Sequence, residues 1–178
     1  PVKFSDAFEY ACDAYARIKS AKSGKDVLDF KYDRDNRLES VISDGKDILL
    51  FGYDNRGRLA ISKAGGVSKR YFYASGYLSA AVSSDRKETV KYVNSPLTGE
   101  CLAVIRGDGK IEYPIPDPSG TVTHLTNEKG AITSVRQFEI LGLPKGEDRM
   151  RIDLGYCGNI QFLSGRITFA DGAAFLTQ

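Results

Sequence analysis

Apolar and polar side chains alternate with a period of two residues along most of the chain. The alternation is clear in Leu38–Ser43 and in Ile132–Phe138, and it is typical of strands with one buried and one solvated face. Turn-forming residues interrupt it repeatedly, at Asp44-Gly45, Gly65-Gly66, Ser84-Asp85, Asp108-Gly109, Asn127–Gly130 and Asp171-Gly172. The pattern predicts a mainly β fold, an antiparallel meander of about a dozen short strands.

One segment has a different period. From Ser5 to about Ser20 the apolar residues recur at intervals of three and four, at Phe4, Phe8, Ala11, Cys12, Tyr15 and Ile18. This spacing predicts an amphipathic helix, capped by Ser5 or Asp6, whose apolar side covers an edge or a face of the sheet. We therefore expect a helical N-terminal segment over residues 1–27 and a β domain over residues 28–178.

A repeat of about twenty residues underlies the strands. Tyr32-Asp33 followed by Arg37-Leu38 recurs as Tyr53-Asp54 followed by Arg58-Leu59, and a third copy around Tyr73 lacks the Asp and the Arg. In each full unit the Asp carboxylate can accept backbone N–H groups, and the residue three positions later tolerates a left-handed conformation. We predict type I turns with a bulge, in which the structural residues are Tyr32, Asp33, Asn36, Tyr53, Asp54 and Gly57.

Composition and charge exclude several classes of protein. The 178 residues carry a net charge of +2 with no basic tail or stripe, so nucleic acid is not an expected partner. No apolar run approaches the roughly 20 residues of a membrane-spanning helix. The N-terminus shows no secretory signal pattern, which leaves the compartment open. Three scattered cysteines, Cys12, Cys101 and Cys157, form no metal or disulfide pattern, and we expect buried thiols.

Candidate catalytic residues are few. His124 is the only histidine, and no Gly-x-Ser-x-Gly motif or phosphate-binding loop accompanies it. The residue types predict neither a metal site nor a cofactor. A hydrolase or nuclease that uses His124 is the third interpretation of this sequence, and we expect His124 to be a strand or surface residue instead.

A group of aromatic and basic residues supports a second interpretation. Tyr71, Tyr73 and Tyr77 lie close in sequence to Arg70, a mixture that stacks sugars or bases on the face of a sheet. A cell-surface or glycan-binding module would use such a patch. The competing interpretation is that tyrosines at repeat positions pack across neighbouring strands.

Four landmarks resemble the Rhs, or YD-repeat, proteins over about residues 28–178. The Tyr-Asp units with their following Arg-Leu are similar to the repeat itself. Tyr113–Gly130 resembles the family segment that contains Tyr and then Asp-His-Leu-Gly-Ser, and Phe138–Pro144 is similar to Tyr-Asp-Pro-Phe-Gly-Arg-Pro, with Glu139 in place of the Asp. The stretch from Gly155 to Gln178 resembles the end of the family core.

The resemblance implies a β-sheet shell. Members of that family wind their repeats into a spiral β-sheet that encloses a C-terminal toxin or another polymorphic domain, and many act in interbacterial competition or as insecticidal toxin components. Many also contain a self-cleavage motif that begins with Asp-Pro. That motif would follow Gln178, so no catalytic residue is carried over. At this length both a partial spiral shell and a packed sandwich stay open.

The leading interpretation is a non-enzymatic module that encloses or presents an associated polypeptide. The resemblance implies protein partners, either a cargo or toxin domain or further repeats of the same polypeptide, and a secreted or cell-surface location.

Overall fold

The computed structural model describes residues 9–85, 87–139, 144–145, 150–155, 158–162, 167–170 and 173–176. Within these residues, thirteen strands form one sheet in which each strand pairs antiparallel with the next along the chain, and three further strands form a second sheet. The strands are β1 Glu9–Cys12, β2 Ile18–Ser23, β3 Asp26–Tyr32, β4 Leu38–Ser43, β5 Lys46–Tyr53, β6 Leu59–Ala64, β7 Val67–Ala74, β8 Tyr77–Ser83, β9 Thr89–Asn94, β10 Cys101–Arg106, β11 Ile111–Pro116, β12 Val122–Thr126, β13 Ile132–Val135, β14 Ile160–Phe162, β15 Ile167–Ala170 and β16 Ala173–Leu176. The predicted mainly β meander is confirmed, and β1 and β13 are the edge strands of the larger sheet.

The predicted N-terminal helix is wrong over its described part. Residues 9–23 form β1, a turn and β2, and β2 pairs with β3 from Ser20↔Asp29 onward. Asp13 decides the local structure, because its Oδ1 accepts the N–H groups of Tyr15 and Arg17 at 2.9 and 3.0 Å and closes a turn. The helical spacing is overridden by this turn and by pairing with β3. In the part of the chain that is described, no helix is long and apolar enough to cross a membrane.

An aspartate organises each of three turns at one end of the sheet, beginning at Asp13, Asp33 and Asp54. In the second, Asp33 Oδ1 accepts the N–H groups of Asp35 and Arg37, each at 2.9 Å. The N–H of Asn36 donates to the Asp33 carbonyl at 3.2 Å, and Asn36 has a φ of 63°. Gly57 takes the same place in the third turn with a φ of 79°. This is the geometry of a type I turn followed by a bulge.

The other turns that the sequence predicted within the described residues are confirmed, and the chain also turns at residues 75–76, 95–99 and 117–120. The chain turns at Asp44-Gly45, Gly65-Gly66, Ser84-Asp85, Asp108-Gly109 and within Asn127–Gly130. Asp171-Gly172 lies outside the described residues.

The arginine of each aspartate turn stacks on the tyrosine of the next repeat. Guanidinium carbons lie 4.6, 4.7 and 4.3 Å from the ring centroids in the pairs Arg17–Tyr32, Arg37–Tyr53 and Arg58–Tyr73. Each tyrosine hydroxyl donates to a backbone carbonyl of the preceding repeat, at 2.8 Å to Ile18, 2.6 Å to Leu38 and 2.8 Å to Leu59. We call these three linked units the Tyr–Arg ladder. It joins each repeat to the next through the same two contacts, a stacked guanidinium and a tyrosine hydrogen bond.

The two faces of the large sheet have different surroundings. Leu28, Phe30 and Phe51 are buried on one face. The Phe51 ring lies 5.0 and 4.8 Å from the rings of Phe162 and Phe169 in the small sheet. We call this the covered face, because Asp153, Phe162 and Phe169 pack on it, and we call the opposite one the open face. The C-terminal residues therefore bury apolar surface that a lone meander would expose.

Gly57→Val is expected to lower the free energy of unfolding by about 1–2 kcal/mol, because a β-branched residue is strained in the left-handed conformation. A Cβ at Gly57 meets no atom within 4 Å, so backbone strain alone is tested. Chemical denaturation measures the free energy of unfolding, with Asn55→Val in the same turn as control.

Ala16, which occupies the matching place in the first turn with a φ of 60°, gives the reverse test. Ala16→Gly should stabilise the protein, and an unchanged stability in both variants would contradict the turn assignment.

Candidate functional site on the covered face

Asp153 is the centre of a buried polar cluster on the covered face. Its side chain is 8% exposed, and Lys69 Nζ donates to its Oδ1 at 2.9 Å. The Tyr92 hydroxyl donates to Oδ2 at 2.9 Å and accepts the backbone N–H of Asp153, also at 2.9 Å. Burial opposes the positive charge of Lys69, but Asp153 and Glu88 raise the pKa of Lys69 above its ordinary value. Two residues of the sheet thus hold one residue of the C-terminal region by its side chain and main chain.

Two arginines, Arg106 of β10 and Arg136 directly after β13, bind the same region through its backbone. Arg106 donates from Nη1 to the carbonyl of Arg151 at 2.6 Å and from Nη2 to that of Met150 at 2.7 Å. Arg136 donates from Nη2 to the carbonyl of Leu154. We call residues 150–155 the docked segment. The contacts that Arg106 and Arg136 make with it use main-chain carbonyls, which every amino acid sequence offers.

Glu112 orients Arg106. The Glu112 side chain is 2% exposed and accepts hydrogen bonds from Arg106 Nε at 2.9 Å, from Lys110 Nζ at 2.7 Å and from Thr133 Oγ1 at 2.7 Å. Burial by itself would raise the pKa of Glu112, but the hydrogen bonds from Lys110, Thr133 and Arg106 lower that pKa to about 2. A carboxylate that is ionised and shared by two cations keeps the Arg106 guanidinium directed at the docked segment.

The residues of the predicted ligand patch do not share one surface. Tyr71 is buried on the covered face, where its hydroxyl lies 3.1 Å from Ser62 Oγ, and Tyr73 is half-buried in the Tyr–Arg ladder. Arg70 is exposed on the open face, because alternate residues of β7 point to opposite sides. Tyr77 is exposed at the start of β8. Binding of a glycan by these four residues stays a prediction.

Among the described residues, His124, Cys12 and Cys101 form no hydrogen bond with Asp153, Lys69 or Tyr92. His124 is half-buried on β12, and its Nδ1 lies 2.9 Å from Thr123 Oγ1. Cys12 is exposed, so the expectation of a buried thiol is wrong there; Cys101 is half-buried, and burial raises its pKa to about 11. Cys157 lies outside the described residues. No group of three or more His, Cys, Asp or Glu side chains is placed to hold a metal ion in the ranges that the structure describes.

Two cavities border the docked segment and its surroundings. One, of about 900 Å³, lies at the Arg106 end of the covered face and is lined by Lys87, Arg106, Lys110 and Met150. The other, of about 550 Å³, lies beyond the last rung of the Tyr–Arg ladder and is lined by Tyr73, Tyr77, Asn94, Glu100 and Phe169.

Sequence reasoning missed the first repeat unit and the docked segment. Asp13 and Arg17 precede Asp33 and Arg37 by 20 residues, so the repeat spacing contained the signal for the first unit. Glu112 is buried between Ile111 and Tyr113, which are both exposed, although the alternation of apolar and polar residues in the sequence predicts the opposite. No spacing signal in the sequence indicates Asp153.

Glu112→Gln is expected to lower the free energy of unfolding at pH 7 by about 1–3 kcal/mol, because two cations lose their shared carboxylate. The folded-state pKa of Glu112 lies below its ordinary value of 4.5, so its contribution is complete above about pH 5 and is lost as the pH falls toward about 2. Denaturation measured across this range should show a smaller loss in the variant than in the wild type. Glu39→Gln, at an exposed position of β4, is the control. Equal pH dependence of wild type and Glu112→Gln would contradict the network.

Comparison with known proteins places the fold. No protein-family model matches the chain, and no curated protein matches its sequence. Among solved structures, a chain of the Photorhabdus luminescens Tc holotoxin pore, with a substitution in TccC3, superimposes with a TM-score of 0.67 over 92% of this chain at 12% identity. The crystal structure of TcdB2–TccC3–Cdc42 gives a TM-score of 0.58 over 84% at 14% identity. That of TcdB2–TccC3 gives 0.54 over 84% at 12% identity.

The matched region is a small part of each of these chains, since this chain covers 9%, 8% and 8% of their lengths. Likeness at this level of identity concerns the fold. The chain has the fold of a portion of these Tc toxin chains, and the resemblance to Rhs, or YD-repeat, proteins found in its sequence motifs is confirmed at the level of the fold.

Proposed function

We propose that this chain is a non-enzymatic YD-repeat module, a β-sheet wall whose covered face binds polypeptide. Its role on this proposal is to enclose or present an associated polypeptide such as a toxin domain. The observation that carries the proposal is the docked segment. Residues 150–155 lie on the covered face and are held there by Arg106, Arg136, Lys69 and Tyr92.

The chemistry of this contact suits an enclosing wall. A wall must hold a polypeptide without demanding a particular sequence, and carbonyl oxygens are the acceptors that all sequences share. Arg106 and Arg136 donate to three such carbonyls, and Arg106 is itself fixed by Glu112. The sheet therefore carries directed donors that can bind extended chain of varied sequence.

The charged residues of the covered face have structural partners, which supports a non-enzymatic role. Glu112 accepts three side-chain hydrogen bonds, and Asp153 accepts two. A general acid or base needs a proton that it can exchange with a substrate, whereas the low pKa of Glu112 keeps that carboxylate ionised at neutral pH. These groups stabilise the fold and the docked segment.

The edge strands and the fold comparison support a place in a larger assembly. β1 and β13 each pair with a neighbour on one side in the described residues, so both can accept a further strand of the same polypeptide or of a partner. The similar Tc toxin chains are more than ten times as long as this one. On this proposal the partners are proteins, and the location is secreted or at the cell surface.

Replacing Arg106 tests how the docked segment is held. In Arg106→Ala the carbonyls of Met150 and Arg151 lose their donors, so amide hydrogen exchange in residues 150–155 should become at least tenfold faster, while strands β3–β7 keep their protection. Mass spectrometry of the intact chain measures both. Arg70→Ala, which removes an exposed arginine from the open face, is the matched control. Unchanged exchange in residues 150–155 would contradict the assigned contact.

Protection of an attached peptide tests enclosure. A flexible peptide with one protease site, fused after Gln178, should be cut several-fold more slowly than the same peptide free in solution. The Arg106→Ala variant should lose most of that protection, because the segment leading to the fusion is released. Cleavage of the wild-type fusion at the rate of the free peptide would overturn enclosure by this chain.

A further inference from the structure

The Tyr–Arg ladder is interrupted at its fourth and fifth positions. Arg37 and Arg58 each precede a leucine that pairs with the tyrosine across the turn. Tyr77 stands at that place before Leu78, and Glu100 stands there before Cys101. The chain thus supplies a tyrosine and a carboxylate where the earlier repeats supply a guanidinium.

The tyrosine of the ladder is also replaced, by Asn94. Its Nδ2 donates to the carbonyl of Leu78 at 2.8 Å, the same kind of bond that the tyrosine hydroxyls make in the earlier repeats. The shorter asparagine keeps the link between repeats and leaves the volume of the aromatic ring unfilled. The cavity of about 550 Å³ lies here, beyond Tyr73, the last tyrosine of the ladder.

The walls of this cavity include three aromatic residues, Tyr73, Tyr77 and Phe169, and two acidic ones, Glu100 and Asp117. Asp117 Oδ1 accepts hydrogen bonds from Ser119 and Thr121 within its own turn. Glu100 is an exposed residue with a single hydrogen bond to a side chain, from Thr98 Oγ1 at 3.1 Å. Arg58 also lines it, but its charge is balanced by Asp54 at 2.7 Å and its guanidinium lies over Tyr73. Glu100 therefore adds a negative charge beside the aromatic surface.

Gly99 fixes the position of Tyr77. A Cβ at Gly99 would lie 2.1 Å from Cε1 of the Tyr77 ring, so the ring rests directly on the backbone of the turn. Tyr77 is nevertheless 43% exposed. The ring is held in place on one side and is accessible on the other, as a binding surface requires.

We propose that this cavity binds the guanidinium group of an arginine side chain from another polypeptide. In the first three repeats the protein itself places a guanidinium between a tyrosine ring and a carboxylate. At the interrupted positions Tyr77 supplies the ring and Glu100 supplies the carboxylate, and the guanidinium would come from the bound polypeptide. A planar guanidinium stacks on an aromatic ring and pairs with a carboxylate more effectively than an ammonium group does. This inference does not depend on the proposed function, because the cavity is separate from the Arg106 contacts.

Titration with a small probe tests the site. N-acetyl-arginine methylamide should shift the backbone amide NMR signals of Gly76 and Gly99 saturably, and the affinity should fall as the salt concentration rises. The citrulline analogue has nearly the same shape without the charge, and we expect it to bind at least tenfold more weakly. Equal binding of the citrulline analogue would overturn the proposal, and equal binding of the lysine analogue would overturn the choice of guanidinium.

Variants separate this cavity from other tyrosine-rich surfaces. Tyr77→Leu and Glu100→Gln should each weaken binding of the arginine probe at least fivefold, and Gly99→Ala should do the same by displacing the Tyr77 ring. Tyr113→Leu, at an exposed tyrosine outside the lining of this cavity, should leave the affinity unchanged. Loss of affinity in Tyr113→Leu as large as that in Tyr77→Leu would contradict the site. Amide spectra of each variant show whether it is folded.

Discussion

The contact between an aspartate turn and the next tyrosine is the interaction on which the sheet depends. In it, Asp33 closes its turn and pairs with Arg37, Arg37 stacks on Tyr53, and Tyr53 donates back to the carbonyl of Leu38. Each contribution is modest, about 0.5–1.5 kcal/mol for a stacked cation or a hydrogen bond. Their importance lies in register, because a slip of one residue would turn every buried side chain to the opposite face.

A second constraint follows from the first, since a meander in fixed register carries an apolar face that needs a cover. The docked segment and the small sheet supply it. Phe162 and Phe169 of the small sheet pack on Phe51. The docked segment, which precedes the small sheet in sequence, is held on the large sheet by the contacts of Arg106 with Met150 and of Lys69 with Asp153. Buried ions are costly unless they are fully paired, and the several partners of Asp153 and Glu112 meet that requirement. The same contacts hold the docked segment on the covered face.

The basic residues make different contacts in the two halves of the large sheet. Through β7 the repeats are joined by the Tyr–Arg ladder at the end of the sheet. From β10 onward, Arg106 and Lys110 bind Glu112, and Arg106 and Arg136 donate to carbonyls of the docked segment. The change falls near Tyr77 and Asn94, where the cavity with an aromatic and acidic lining lies. Loss of the repeat signature in the sequence therefore coincides with a change in the contacts that the basic residues make.

Local chemistry in the sequence determined the turns and the strand order, because an Asp and a residue that accepts a positive φ act within five residues and need no tertiary partner. The period of about twenty residues likewise predicted the meander and its resemblance to YD-repeat proteins. Tertiary structure decided the rest. Pairing of β1 with β2 and of β2 with β3 overrode the helical spacing, and strand alternation separated Tyr71 from Arg70. Asp153 became a buried anchor only because the folded sheet brings Lys69 and Tyr92, far away in sequence, to the same point.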